Sequence, residues 1–502
     1  MRGINTVKKR IILTLLVLSM LLPTFASCSE KTDNADTDTE TTAASDTITE
    51  TASAETVPES ETETTYFDNV LPEADYSGKT FTILHRPSAS AHDTMPDFSL
   101  EEITGEPVDD AVFTQVTSVE DKYGVKVAEM LMNDVPSAVV QNASAGDDTA
   151  SIIIHTNVEL ANLVTQNVLL DLNKLENINF DMPWWNKNYK EKLTINGRTY
   201  LAFGDLFFEP AINNVHLLYF NKDMCDEFSL AYPYEAVYNG TWTLDYIKNM
   251  VQDVYLDLDG NGIADDKDRW GLVQSPIQSS IMFYTSGFHI MSYDDEGYPY
   301  VDMYSEAFVD FYKALFDLDY NTPGVWTDGG EDNNFEMFVA GNALISSYFL
   351  TVTPRLREVD FEVGILPYPK YYEESEYINW PTGGNFLLAV PSVTNPENYD
   401  YVGLVTEALA AQGHTYVRPA LYETTLQGKL ARDKESQDML DLIFDTMSID
   451  FGWIHTGNNG LGWMVNTCLS GKRENISSFY EKLARHAVKY YDDIINYYRE
   501  ID

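Results

Sequence analysis

Four stretches decide the fold: KTFTILH (79–85), VDDAVFTQVTSVEDKYG (108–124), YGVKVAEML (123–131) and ASIIIHT (150–156). The first, third and fourth are short, apolar and rich in β-branched residues, as strands buried in a sheet must be. The second repeats its apolar residues at helical spacing. Residues 158–175 again look helical. This β-α-β order predicts an α/β lobe with helices on both faces of a mostly parallel sheet. Ligands of such sheets meet the carboxyl ends of the strands, which here carry His85, Arg86, Thr156 and Asn157.

Downstream, the pattern starts again. INNVHLLYFNKDMCDEF (212–228) reads as a strand entering a new unit, and GTWTLDYIKNMVQDVYLDL (240–258) opens a helix with Thr243 as its N-cap. Helices are expected over 305–318, 333–341, 397–412 and from about 474 to the end. NALISSYF (342–349), DFEVGIL (360–366) and GGNFLLAVP (383–391) read as strands.

Upstream, the chain carries an address. Lys8, Lys9 and Arg10 precede a dozen apolar residues, too few to span a bilayer and suited to a secretion signal over residues 1–27. FASCSE (25–30) then resembles a bacterial lipobox with Cys28 as the lipidated residue, Phe25 standing where Leu is usual. Residues 28–66 are almost entirely Thr, Ser, Glu, Asp and Ala, with nothing to bury against the entropy of ordering. A disordered tether holding a folded part off a membrane is the expectation. Acidic residues number 79 against 32 basic ones, a formal net charge of −47. That field disfavours nucleic acid and anionic ligands and suits a neutral or cationic one. Beyond Cys28 only Cys225 and Cys468 remain. Pairing of the two is one reading, but two cysteines so far apart make no disulfide framework, and buried free thiols are the expectation.

DLDGNGIADDKD (257–268) has the spacing of a twelve-residue calcium loop. Asp257, Asp259 and Asn261 fall at positions one, three and five, Ile263 offers its carbonyl at seven, and Asp265 and Asp268 stand at nine and twelve. Gly262 occupies the sharp turn at six. Such a set of hard oxygens suits Ca2+. The loop occurs once, whereas calcium sensors pair theirs, so a structural staple is expected.

Several stretches together resemble a known family. LLYFNKDM (217–224), NGTWTLDYI (239–247), FEMFVAGNALISSYF (335–349), VGILPYPK (363–370) and PALYETTLQGKLARDKESQDMLDLI (419–443) occur in the order found in extracellular solute-binding lipoproteins of ABC importers, the maltose-binding-protein-like group. The resemblance covers roughly residues 76–500. It implies an α/β, two-lobed type II periplasmic-binding-protein fold with a hinge and an interlobe cleft. Crossings would fall near 216–220, 386–391 and 446–452. Lobe one would be 76–215 plus 391–446, and lobe two 220–388 plus 450–502. It implies a non-catalytic monomer, lipid-anchored on the outer face of the cell membrane, that captures a carbohydrate and delivers it to permease subunits.

Sugars are held by aromatic platforms beside directional polar groups. Trp380, before two glycines and a crossing, Trp453 beside the third crossing, and Tyr348 after the NALISS strand are the aromatic candidates, with Trp326 and Trp463 behind them. Arg86, Asn157, Asp205 and Asn385 are the polar ones. Trp184–Trp185 read as structural, since adjacent residues do not readily face one cleft. The same fold binding a peptide or cationic solute, a secreted glycoside hydrolase and a calcium-dependent adhesin are the competing readings. No nucleophile elbow, HExxH, P-loop or dinucleotide fingerprint in its proper context is present.

Overall fold

The computed structural model describes residues 67, 70–88, 95–208, 214–328, 330–381, 385–426, 434–455 and 460–500. The signal segment 1–27, the tether 28–66 (with Cys28) and the glycines at 383 and 384 lie outside them. No described helix is long and apolar enough to cross a membrane.

Nine strands form two main sheets: β1 (Thr80–His85), β2 (Lys126–Leu131), β3 (Ile152–Thr156), β4 (His216–Asn221), β5 (Trp270–Gln274), β6 (Val325–Thr327), β7 (Ala343–Phe349), β8 (Val363–Leu366) and β9 (Phe386–Ala389). Lobe one has the order β9-β3-β1-β2. Its first three strands in sequence run parallel, with Thr80 opposite Lys126 and Ile83 opposite Ile152, and β9 returns antiparallel with Phe386 opposite Thr156. Phe81, Ile83, Leu84, Ile152, Ile153 and Ile154 are all fully buried. This follows from helices covering both faces, as the uninterrupted apolar runs demanded. Between β1 and β2 the helix Pro107–Tyr123 starts on a proline and two aspartates and ends at Gly124 in a left-handed conformation. Its Val112, Val116, Val119 and Tyr123 form the buried stripe.

Lobe two has the order β6-β5-β7-β4-β8. β5, β6 and β7 are parallel, and β4 runs antiparallel to both β7 and β8. Thr243 caps the helix Leu244–Val251 by accepting from the Tyr246 amide at 3.3 Å. Cys225 and Cys468 are buried free thiols.

The sheet pairings move the lobe boundaries drawn from sequence. β4 lies wholly within the lobe-two sheet, so the first crossing precedes 216. β9 belongs to lobe one rather than to a crossing at 386–391. Its antiparallel pairing with β3 puts the second crossing upstream, at Asn379–Pro381, where Pro381 bridges Val215. The third crossing runs beside it: the Asn379 amide donates to the Thr446 carbonyl and the Ser448 amide to the Asn379 carbonyl, both at 3.0 Å. The helix Lys434–Asp445, assigned to lobe one from sequence, starts on lobe two. There the Ser436 hydroxyl accepts from the Ile365 amide at 3.1 Å and meets the Tyr234 hydroxyl at 2.9 Å.

Trp184 and Trp185 are structural: both indoles donate to the Glu407 carboxylate, at 3.1 and 2.8 Å. Glu407 sits in the buried helix Tyr399–Gln412 that supports lobe one.

Candidate functional site

In lobe one the carboxyl ends of β1 and β3 and the start of β9 come together at one rim, because β9 enters beside the exit of β3. Three polar residues singled out in the sequence meet there. The Asn157 amide donates to the Asn385 carbonyl at 2.8 Å, and the Asn385 side chain donates to the Tyr189 hydroxyl. The Arg86 guanidinium lies 5.3 Å from the Phe386 ring centre. Asn157 and Asn385 are buried.

Between the lobes the second and third crossings bring tryptophans into contact. Trp380 stacks on Tyr284 at 3.9 Å with the rings 10° from parallel, and meets Trp453 edge-on at 6.0 Å. Trp453 contacts Trp463 at 5.0 Å. Tyr284 comes from lobe two, at the end of the helix Pro276–Thr285, which Ser275 and Gln278 start with a reciprocal capping box. A cavity of about 360 Å³ opens beside this cluster. Lys192 lines it from lobe one, His289, Tyr293 and Tyr300 from lobe two, and Trp380 and Asp450 from the crossings. Asp450 fixes the third crossing to lobe two: its carboxylate accepts from the Ile290 amide at 2.8 Å and from the Trp453 amide at 3.0 Å. Burial pushes its carboxyl above the ordinary range against those hydrogen bonds.

Three candidates stand elsewhere. Asp205 is buried in lobe one, where its carboxylate accepts from His414 Nδ1 at 2.6 Å and lies 3.6 Å from Arg418. It belongs to a separate groove of about 280 Å³ that also includes Trp185, Phe208, Arg418 and Phe444. Tyr348 tucks under the helix Glu331–Val339, stacking on Phe335 at 4.6 Å and donating to Asp332. Trp326, on the edge strand of lobe two, packs on Trp270 at 5.2 Å, and Trp270 packs on Tyr255 at 4.7 Å. An edge strand placed it in a stack beside the 257–268 loop, away from the crossings.

Sequence reasoning missed Tyr284, Asp450 and Tyr293, whose hydroxyl reaches the Lys192 carbonyl at 2.5 Å. Only Asp450 left a local trace, as the N-cap of the turn Phe451–Ile454.

In the 257–268 loop, one carboxylate oxygen from each of Asp257, Asp259 and Asp268 lies within 4.8 Å of the others. Asp268 is fully buried, held by Tyr255 Oη at 3.0 Å and the Leu258 amide at 3.1 Å. Gly262, at φ 75°, makes the turn that lets its amide reach Asp257. The Asp265 side chain turns to the Lys267 amide, and its carbonyl accepts from the Trp270 indole at 2.9 Å. Asn261 Oδ1 accepts from the Ile263 amide at 2.5 Å. Three converging carboxylates around a glycine turn fit a hard divalent cation.

The sequence profile of the family described as bacterial extracellular solute-binding protein matches residues 113–408. Among curated proteins no sequence matches. Solved structures share the fold at low identity. UspC from M. tuberculosis superposes with a TM-score of 0.52 at 13% identity, over 83% of this chain and all of that one. A cyclo/maltodextrin-binding protein complexed with maltotetraose gives 0.50 at 12% identity, over 85% of this chain and 99% of that one. Two α/β lobes joined by adjacent crossings are thus the frame of a known group. The chain belongs to the bacterial extracellular solute-binding proteins.

Proposed function

We propose that this protein captures a carbohydrate between its lobes and delivers it to the permease of an ABC importer, performing no chemistry on it. The observation that carries this reading is the interlobe cluster of Trp380, Tyr284, Trp453 and Trp463 next to the rim of Arg86, Asn157 and Asn385. Stacking surface beside amide and guanidinium groups is what a ring with apolar faces and peripheral hydroxyls requires. A fold relative complexed with maltotetraose supports the choice. In this reading Cys28 carries the lipid anchor, the acidic tether spans the gap to the membrane, and the protein works as a monomer on the outer face of the cell.

A thermal-shift screen of residues 67–502 tests it, with mono- and oligosaccharides against amino acids, peptides and polyamines. A solute that binds only the folded state raises the melting temperature by mass action, and one glycan class is expected to do so by several degrees. A shift with peptides or polyamines alone would remove the sugar assignment. Release of chromophore from nitrophenyl glycosides above a protein-free blank would show catalysis.

The 257–268 loop we assign to a structural Ca2+, held by Asp257, Asp259 and Asp268 with the Ile263 carbonyl, and with Asn261 and Asp265 supporting the loop. Calcium at a hundred times its Kd contributes about 2.7 kcal/mol to the folded state. EDTA is therefore expected to lower the melting temperature while leaving the solute-induced shift in place. Because Tyr255 and Trp270 pack against the loop, terbium bound there should emit on excitation at their absorption band. An unchanged melting temperature and no sensitised emission would dismiss the metal.

A further inference from the structure

Five buried polar atoms in the second and third crossings and the segments leading from them have no hydrogen-bond partner among the described residues. They are Asn379 Nδ2, Asn385 Oδ1, Trp453 Nε1 and both ring nitrogens of His455. His455 is 1% exposed and packs on Phe451 at 4.3 Å. A buried polar atom left unpaired costs about 1–3 kcal/mol, so five of them in and just beyond the two crossings point to an external partner. Their neighbourhood is shared. The turn Phe451–Ile454, carrying Trp453 and followed by His455, packs on the helix Asn157–Val164, and the amide of Asn157 is bonded to Asn385.

The balance of the set is informative. The Asn379 amide and the Trp453 indole only donate, Asn385 Oδ1 only accepts, and a neutral imidazole does one of each. Burial holds the His455 imidazole neutral, with its pKa lowered to about 3. A carboxylate or phosphate accepts without donating, and an ammonium donates without accepting. Neither answers this set. A hydroxyl does both.

We infer that His455, with Trp453 Nε1 and Asn385 Oδ1, forms the hydrogen-bonding side of the solute site and selects uncharged, polyhydroxylated ligands over aminated or carboxylated ones. This rests on the carbohydrate reading above and narrows it. His455 spans adjacent hydroxyls, donating to one and accepting from the next, while the Trp453 ring bears on the aromatic cluster.

Three variants test the inference. His455→Phe keeps a ring of similar size and removes both nitrogens, and Trp453→Phe keeps the stack and removes Nε1. His455→Gln retains one donor and one acceptor. Without ligand, His455→Phe is expected to melt at or above the wild-type temperature, because atoms that lacked partners are gone. A clear fall would mean those nitrogens are already bonded within the protein and would overturn the inference. On a panel of neutral, amino and carboxylated oligosaccharides, wild type should retain neutral glycans. Both phenylalanine variants should bind them roughly tenfold more weakly or worse, with His455→Gln between. Equal affinity in the variants overturns the inference alone. Preference of wild type for charged sugars also overturns it and leaves the carbohydrate reading standing. Retention of no glycan removes both.

Discussion

Trp380→Ala is expected to cost about 3–5 kcal/mol of folding stability, the usual penalty for truncating a fully packed tryptophan, and to abolish solute-induced stabilisation together with it. The indole is 4% exposed and fills the space between Tyr284 and Trp453. Its stack on Tyr284 joins the second crossing to a lobe-two helix, so the truncation leaves a cavity where the lobes are connected. Trp380→Phe should recover most of the stability, since a smaller ring still stacks, and this pair separates loss of packing from loss of a specific ring. Urea unfolding gives the cost. Amide hydrogen exchange gives its location: the Asn379 and Ser448 amides, which hold the two crossings together, should exchange faster in the alanine variant. A midpoint within error of wild type would mean that the cluster is a surface decoration rather than part of the joint.

The lobe sheets were legible because their strands announce themselves locally. ASIIIHT is apolar on both faces, as a covered parallel sheet requires, KTFTILH is rich in β-branched residues, and helix Pro107–Tyr123 carries its own start and stop signals. Lobe membership was not legible for β9 or for the helix Lys434–Asp445. Membership is decided by pairing across long separations: β9 docks on a strand some 230 residues earlier in the chain, and Ser436 meets the Ile365 amide 71 residues away. Neither contact leaves a mark in the local pattern.

The site divides in the same way. Asn157 was singled out because strand ends define where an α/β sheet meets its ligand, and the start of β9 sets Asn385 beside it. The same rule does not cover Asp205, which follows no strand of the main sheets and is absorbed by His414 and Arg418. Trp326 shows the complementary limit. Its type is right for a sugar platform, but the edge position of β6 directs it to Trp270 and the acidic loop. Tyr284 was invisible because its role depends on a tryptophan 96 residues downstream. Trp184 and Trp185 were read as structural because neighbours do not readily face one cleft; the structure gives a different reason, turning both indoles onto Glu407, more than 200 residues downstream.

That carboxylate makes the second large expected effect, a loss of stability as pH rises. Burial in the helix Tyr399–Gln412 pushes the Glu407 carboxyl up to about 7, against the lowering pull of the Trp185 and Trp184 indoles and the Asn179 amide. Folding therefore favours its protonated form, whereas in the unfolded chain it ionises near 4.5. Between those values the folded state binds more protons than the unfolded one. Its contribution is fully present below pH 4.5 and is lost as pH climbs through 7. A rise of this size corresponds to about 3 kcal/mol. Asp319 and Glu331, also raised to about 7 by burial, push in the same direction, and so does self-repulsion of the acidic chain. Glu407→Gln isolates the share of this one group. A glutamine turns an NH2 toward donors that need acceptors, so at pH 5 the variant should be less stable than wild type by about 1–3 kcal/mol. Near pH 8 wild type must hold a buried charge, and the gap should narrow or reverse. Urea midpoints across pH 5–8 decide it: parallel curves would show that Glu407 does not titrate in the folded protein.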